Sequence, residues 1–368
     1  MYILIIFLDF LLLSKTYILY FLKPFILFFH KILLNKLKRM IDIIYKSHWE
    51  KMSPEELISF KQSIFDHYRT NGFPYFPKPN IEEEVNKIKN YLSKSTIITD
   101  KRIKQTMHGL NICWYYFPHS WEVKCSNMLS PMETFLDDEK FRKVIDKRMK
   151  FDTYISDGGM RKQLRIHTGT QSVSNFRPTS AYAIYEYFGG GVVYDMSSGY
   201  GGRLLGSFLS EKVKKYIGVD PCKQTYEGLL NLRNDLNYTN SEIYNIGSED
   251  FIPEKDSIDL CFTSPPYFDT ERYSDEDTQS WKKYPTKELW MNEFLYLTVK
   301  NCIHGLRSGG HLAMNISNVK SYPGLEFDFI FMMNQFDELK FTDKLFYSLS
   351  AINKGGFKFE PIFIFTKI

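Results

Sequence analysis

No two cysteines in the 368-residue chain stand in a CxxC pair, and no histidine stands near one at metal-ligand spacing. A structural zinc site is therefore not expected, and no other metal is either. The five cysteines, Cys113, Cys125, Cys222, Cys261 and Cys302, are an odd set for a disulfide framework and point to a reducing, cytoplasmic compartment. Cys261 lies inside an apolar run, where a small buried hydrophobe is the ordinary reading and a nucleophile the sharper one. No internal repeat or low-complexity segment follows residue 40, which leaves ordinary globular domains. An excess of one charge is also missing: 47 basic against 43 acidic residues leave +4, which permits a polyanionic partner without identifying one.

What is abundant is apolar, and most concentrated at the start. The run MYILIIFLDFLLLSKTYILYFLKPFILFFHKILL is long enough to span a bilayer and is followed by Lys36, Lys38 and Arg39. Asp9, Lys15, Lys23 and Pro24 interrupt it, no small-residue cleavage site follows, and the basic residues come after it, so a secretory signal is not expected. Two readings of residues 1–39 stay open. One is a membrane anchor, giving membrane association through residues 1–34; the other is translation that begins at Met40, where the composition becomes ordinary.

Residues 40–165 form an expected accessory region of helical or mixed character. Ser53-Pro54-Glu55-Glu56 has the form of a capping box with proline at the first helical position. Ile81, Val85, Ile88 and Leu92 share one helical face, while 100–165 has no clean periodicity. From residue 180 the texture changes to alternating elements. Strands are expected at 191–195, 215–220, 243–246, 258–262, 311–316, 341–350 and 361–367, with helices at 181–187, 203–210, 225–236 and 286–306 between them. Strands alternating with helices imply an α/β fold: a mostly parallel, doubly wound sheet over 166–368 with right-handed crossovers.

Ligands of such sheets sit at the carboxyl ends of the strands. The first strand ends in DMSSGYGGRLLG, with Asp195, Ser197, Gly199 and Gly201 before a helix; glycines let the backbone approach a ligand closely. This loop is neither GxGxxG nor GxxxxGK(S/T), which disfavours a nucleoside triphosphate. The second strand ends in Asp220, placed to accept the ribose hydroxyls of an adenosine. The third ends in GSEDF, where Glu249 or Asp250 can meet an adenine amino group. The fourth ends in Ser264-Pro265-Pro266-Tyr267. Two prolines end the strand and hold a rigid extended loop. Such a loop suits methyl transfer to a planar exocyclic amine: Ser264 Oγ and the Pro265 carbonyl accept from its hydrogens, and Tyr267 offers a face for a flat base.

In this order the residues resemble the S-adenosylmethionine-dependent amino-group DNA methyltransferases, cytosine N4 and adenine N6. DMSSGYGG resembles the family's cofactor loop, Asp220 its ribose acid, and Ser264-Pro265-Pro266-Tyr267 its catalytic tetrapeptide. SNFRPTSAYAIYEYF resembles the element that touches the methionine end, making Asn175, Phe176 and Arg177 candidates. The resemblance covers about 165–368. It implies a Rossmann-like class I methyltransferase fold, S-adenosyl-L-methionine as cofactor and DNA as partner. The serine form of the tetrapeptide implies cytosine N4, with adenine N6 next; an RNA or protein amide substrate and a non-catalytic DNA-binding module are the alternatives. With no target-recognition region after the last strand, DNA reading is expected from 40–165, from Asp269 to Lys283, or from both.

Overall fold

The computed structural model describes residues 43–349 and 358–368. The apolar segment 1–39, and both readings of it, lie outside the described residues. Among the described residues, no helix is long and apolar enough to cross a membrane, and no group of His, Cys, Asp and Glu could hold a metal ion.

The chain divides into two compact units. One comprises residues up to Pro74 together with Asp137–Leu164; the other comprises Tyr75–Leu136 and Arg165–Ile368. This differs from a linear division at residue 165, because 75–136 packs with the sheet. Ile88, Leu110, Ile112, Trp114 and Phe117 share one buried cluster with Leu204 and Leu229 of the later sequence.

In the first unit the capping box forms as the sequence implies. Ser53 Oγ accepts from the Glu56 amide, and the Glu56 carboxylate accepts from the Ser53 amide at 2.8 Å, opening the helix Pro54–Asn71. That helix sets Phe65 and Tyr68 against Phe141 of the helix Asp138–Phe151.

In the second unit nine strands form one sheet among the described residues. They are β1 (Ile98–Thr99), β2 (Arg102–Ile103), β3 (Gly191–Asp195), β4 (Val213–Val219), β5 (Ser241–Tyr244), β6 (Ile258–Thr263), β7 (Leu306–Asn315), β8 (Leu339–Ser348) and β9 (Phe359–Lys367). Their order is β1-β2-β8-β9-β7-β6-β3-β4-β5. Strands β5, β4, β3, β6 and β7 run parallel, and β9 inserts antiparallel between β7 and β8. The seven main strands thus have the arrangement of the class I methyltransferase fold. Between them lie α1 (Pro178–Phe188), α2 (Gly202–Leu209), α3 (Lys223–Asp235), α4 (Tyr296–Gly305) and α5 (Leu325–Met333). The helix expected over 286–306 is interrupted by a π-helical stretch at Trp290–Leu295.

Alternation along the strands explains why both sheet faces are covered. Val193, Leu260, Phe262, Ala313, Ile362 and Ile364 face one apolar cluster, which α1, α2 and α3 complete. Tyr194, Cys261, Leu312, Met314, Phe363 and Phe365 face the other, closed by α4 and α5. Cys261 is fully buried and burial pushes its thiol well up, as befits a core residue.

Candidate functional site

The carboxyl ends of β3, β4, β5 and β6 open on one cavity of about 470 Å³. Every residue lining it belongs to the sheet unit. The order of loops that the sequence suggests is therefore also a spatial arrangement.

The loop after β3 makes its floor. Gly201 has φ +73, in the left-handed region, and immediately precedes α2 as its N-cap; a Cβ there would lie 2.6 Å from Leu232. At Gly202 a Cβ would lie 1.9 Å from the Phe176 carbonyl, so close packing excludes any side chain. Ser197 and Gly199 line the cavity, whereas Gly201 does not. Gly201 shapes the turn instead of facing a ligand.

Asp195 also departs from its expected role. It is fully buried and does not line the cavity. Its Oδ2 accepts from Arg203 Nε at 2.9 Å and from the Tyr216 hydroxyl at 2.7 Å, and its Oδ1 accepts from Thr263 Oγ1 at 3.0 Å. Asp195 therefore locks the ends of β3, β4 and β6 together through α2. The Arg203 guanidinium also donates to the Ser197 carbonyl, fixing the glycine loop.

Asp220, at the end of β4, lines the cavity. Its two carboxylate oxygens accept from the amides of Gly199 at 2.9 Å and Cys222 at 3.0 Å, and among the described residues no cation pairs with it. Burial pushes its carboxyl up to about 7, against the lowering effect of those two amides. Glu249, after β5, lines the cavity and is held by Lys283 Nζ at 2.9 Å and by the Tyr284 hydroxyl at 3.1 Å. Asp250 points away: it is exposed and paired with Lys283 at 2.7 Å. Of the two neighbouring acids, only Glu249 faces the cavity.

Asn175, Phe176 and Arg177 line the same space. Asn175 Nδ2 donates to the Tyr200 carbonyl at 2.8 Å, Phe176 stacks on Tyr347 at 4.6 Å between centroids, and Arg177 Nε donates to Gln105 Oε1 at 3.3 Å. Ser264, Pro265, Pro266 and Tyr267 form the wall at the end of β6. The Tyr267 hydroxyl donates to the Asn315 carbonyl at 3.0 Å and lies 3.3 Å from Ser264 Oγ. Phe268 follows with φ +56, a left-handed turn that directs the chain out of the loop.

Several lining residues carry no motif and escape sequence reasoning. Glu271 and Glu360 sit at this end of the cavity; burial and then Glu360 push the Glu271 carboxyl up to about 7, and burial raises Glu360 too. The Tyr200 hydroxyl and Gln279 Nε2 are buried and have no hydrogen-bond partner among the described residues, although both residues line the cavity. Buried donors without partners are costly, so their place beside a cavity fits a polar ligand.

No protein-family model matches the chain, and no curated protein matches it. Solved structures do. An rRNA methylase from Streptococcus thermophilus is 14% identical, over 53% of this chain and 99% of that chain, with a TM-score of 0.33. TYW2 from M. jannaschii, in complex with AdoMet, is 13% identical over 53% and 79%, with a TM-score of 0.34. Geranyl diphosphate C-methyltransferase from Streptomyces coelicolor, in complex with S-adenosyl-L-homocysteine, is 11% identical over 51% and 78%, with a TM-score of 0.35. The names of the first and the last point to substrates of different kinds, rRNA and geranyl diphosphate. Likeness at this level leaves the chemistry to be read from this chain's own residues.

Proposed function

We propose that this chain is an S-adenosylmethionine-dependent methyltransferase acting on an exocyclic amine of a nucleobase in DNA, with cytosine N4 as the target atom. One observation carries the reading: the Ser264–Tyr267 loop shares a single cavity with Gly199, Asp220 and Glu249, so a methyl donor and a flat amine can meet there.

The lining residues suit the cofactor. Asp220 accepts from ribose hydroxyls with the lone pairs that its two backbone donors leave free, which relieves an acid otherwise buried without a cation. Glu249 accepts from the adenine amine, and Asn175, Phe176 and Arg177 meet the methionine end. When bound, the cofactor supplies an electrophilic methyl group.

The chain's own part is orientation. Ser264 Oγ and the Pro265 carbonyl accept from the amine hydrogens and turn the nitrogen lone pair toward the donor. The Tyr267 ring, anchored through its hydroxyl to β7, presents a face to the base. A base in duplex DNA reaches such a loop only by leaving the stack. The methylated nitrogen then carries one proton too many, and the Glu271 and Glu360 carboxyls in the same cavity are the acceptors nearest in kind. DNA outside the cavity is read by residues in 40–165, by Asp269 to Lys283, or by both.

Incubation of the full chain with labelled S-adenosylmethionine and DNA, RNA or protein tests the reading. Label in N4-methylcytosine of DNA is expected. Label only in RNA or in a protein amide would move the substrate, and label in none would remove the activity.

A further inference from the structure

The segment after the Ser264–Tyr267 loop was one of two stretches expected to read DNA, yet from Glu276 onward its contacts run to the other end of the cavity. The Glu276 carboxylate accepts from the Lys223 amide at 3.1 Å, at the start of α3. Thr278 Oγ1 donates to the Pro221 carbonyl at 3.2 Å. Lys283 Nζ reaches both Glu249 and Asp250, at 2.9 and 2.7 Å. These ties fall on the loops after β4 and β5, which carry the acids assigned above to ribose and adenine. Between the ties lies Gln279. It is 4% exposed, lines the cavity, and its Nε2 has no partner among the described residues. A chain segment fastened on both sides, with a buried amide donor left unmatched between the fastenings, has the form of a binding element that awaits an acceptor.

We propose that residues 269–284 are a strap that completes the cofactor site, with Gln279 Nε2 donating to an acceptor on the adenosyl part of a bound S-adenosyl compound. The proposal rests on the function proposed above and adds a recognition residue to it. It also removes this segment from DNA reading.

The test is calorimetric titration of the full chain with S-adenosylhomocysteine, paired with the melting temperature of the ligand-free protein. Gln279→Met keeps the length of the side chain and removes the donor. A roughly tenfold weaker Kd is expected, with a ligand-free Tm unchanged or higher, because an unmatched buried amide has been replaced by an apolar group. Glu276→Ala, at the tie to the start of α3, is expected to weaken binding severalfold as the strap comes loose. Kd within twofold of the unsubstituted chain for both variants would overturn the proposal. So would a lower ligand-free Tm for Gln279→Met, which would make the amide structural, or a loss of DNA binding with S-adenosylhomocysteine affinity intact. If the unsubstituted chain binds no S-adenosylhomocysteine, the function proposed above falls, and this inference with it.

Discussion

Asp220→Asn tests the electrostatics of the cavity without moving its shape. The ligand-free carboxyl is displaced by burial from 3.8 to about 7. A folded-state value raised in this way contributes stability that is full at low pH and is lost as pH rises through the folded value. Between about pH 5 and about pH 8 the loss amounts to about 2.5 kcal/mol, or roughly 5–10 °C in Tm for a unit of this size. Asparagine does not titrate. Its single acceptor oxygen cannot serve the amides of both Gly199 and Cys222, so the variant starts from its own offset, but that offset is independent of pH. The Tm of the variant minus that of the unsubstituted chain should therefore climb by that amount across the interval. Saturating S-adenosylhomocysteine should flatten the climb, because ribose hydroxyls donate to the ionised acid, and the variant should bind it about 1.5–3 kcal/mol more weakly near pH 8. Differential scanning fluorimetry of both proteins over this range reads the effect. Parallel ligand-free profiles would refute the picture of Asp220 as an unpaired buried acid.

Four further substitutions address the scaffold and the chemistry. Arg203→Leu strands the Asp195 carboxylate, fully buried beside it, and should cost about 3–5 kcal/mol in urea unfolding; a loss under 1 kcal/mol would contradict the assignment of Asp195 as a structural lock. Gly202→Ala must push a methyl group into the Phe176 carbonyl and should lower stability by about 1–3 kcal/mol, with neutral behaviour in the same assay counting against the close approach. Ser264→Ala removes one acceptor from the amine and should lower kcat by roughly two- to tenfold while S-adenosylhomocysteine affinity stays the same. Tyr267→Ala should likewise spare that affinity, and a parallel loss of cofactor binding in either variant would move the loop to the donor side.

The site was legible where function depends on chain-local features. Two prolines after an apolar run, glycines between a strand and a helix, and an acid at a strand end each have a short-range physical signature, and the sheet brings them to one cavity. Roles that depend on partners distant in sequence were not legible. Asp195 reads as a strand-end acid, but Arg203, Tyr216 and Thr263 arrive from three other elements to consume its lone pairs. Glu249 and Asp250 look equivalent until the backbone turns one inward and the other toward solvent. Residues 100–136 lack clean periodicity because Trp114, Phe117 and Trp121 pack in one aromatic group with Tyr200 of the glycine loop, a contact pattern no sequence window contains. Gln279 has no motif at all. Its significance comes from an amide buried without a partner, which only the folded chain reveals.

Under the proposed function, Ser264–Tyr267 presents an exocyclic amine to a methyl donor held by the neighbouring strand ends. Mass spectrometry of nucleosides from DNA incubated with the full chain and methyl-labelled S-adenosylmethionine tests it most directly. Labelled N4-methylcytosine is expected, abolished by removal of the protein and reduced by Ser264→Ala. A folded chain that binds S-adenosylhomocysteine but transfers no label to any exocyclic amine of DNA or RNA would contradict it.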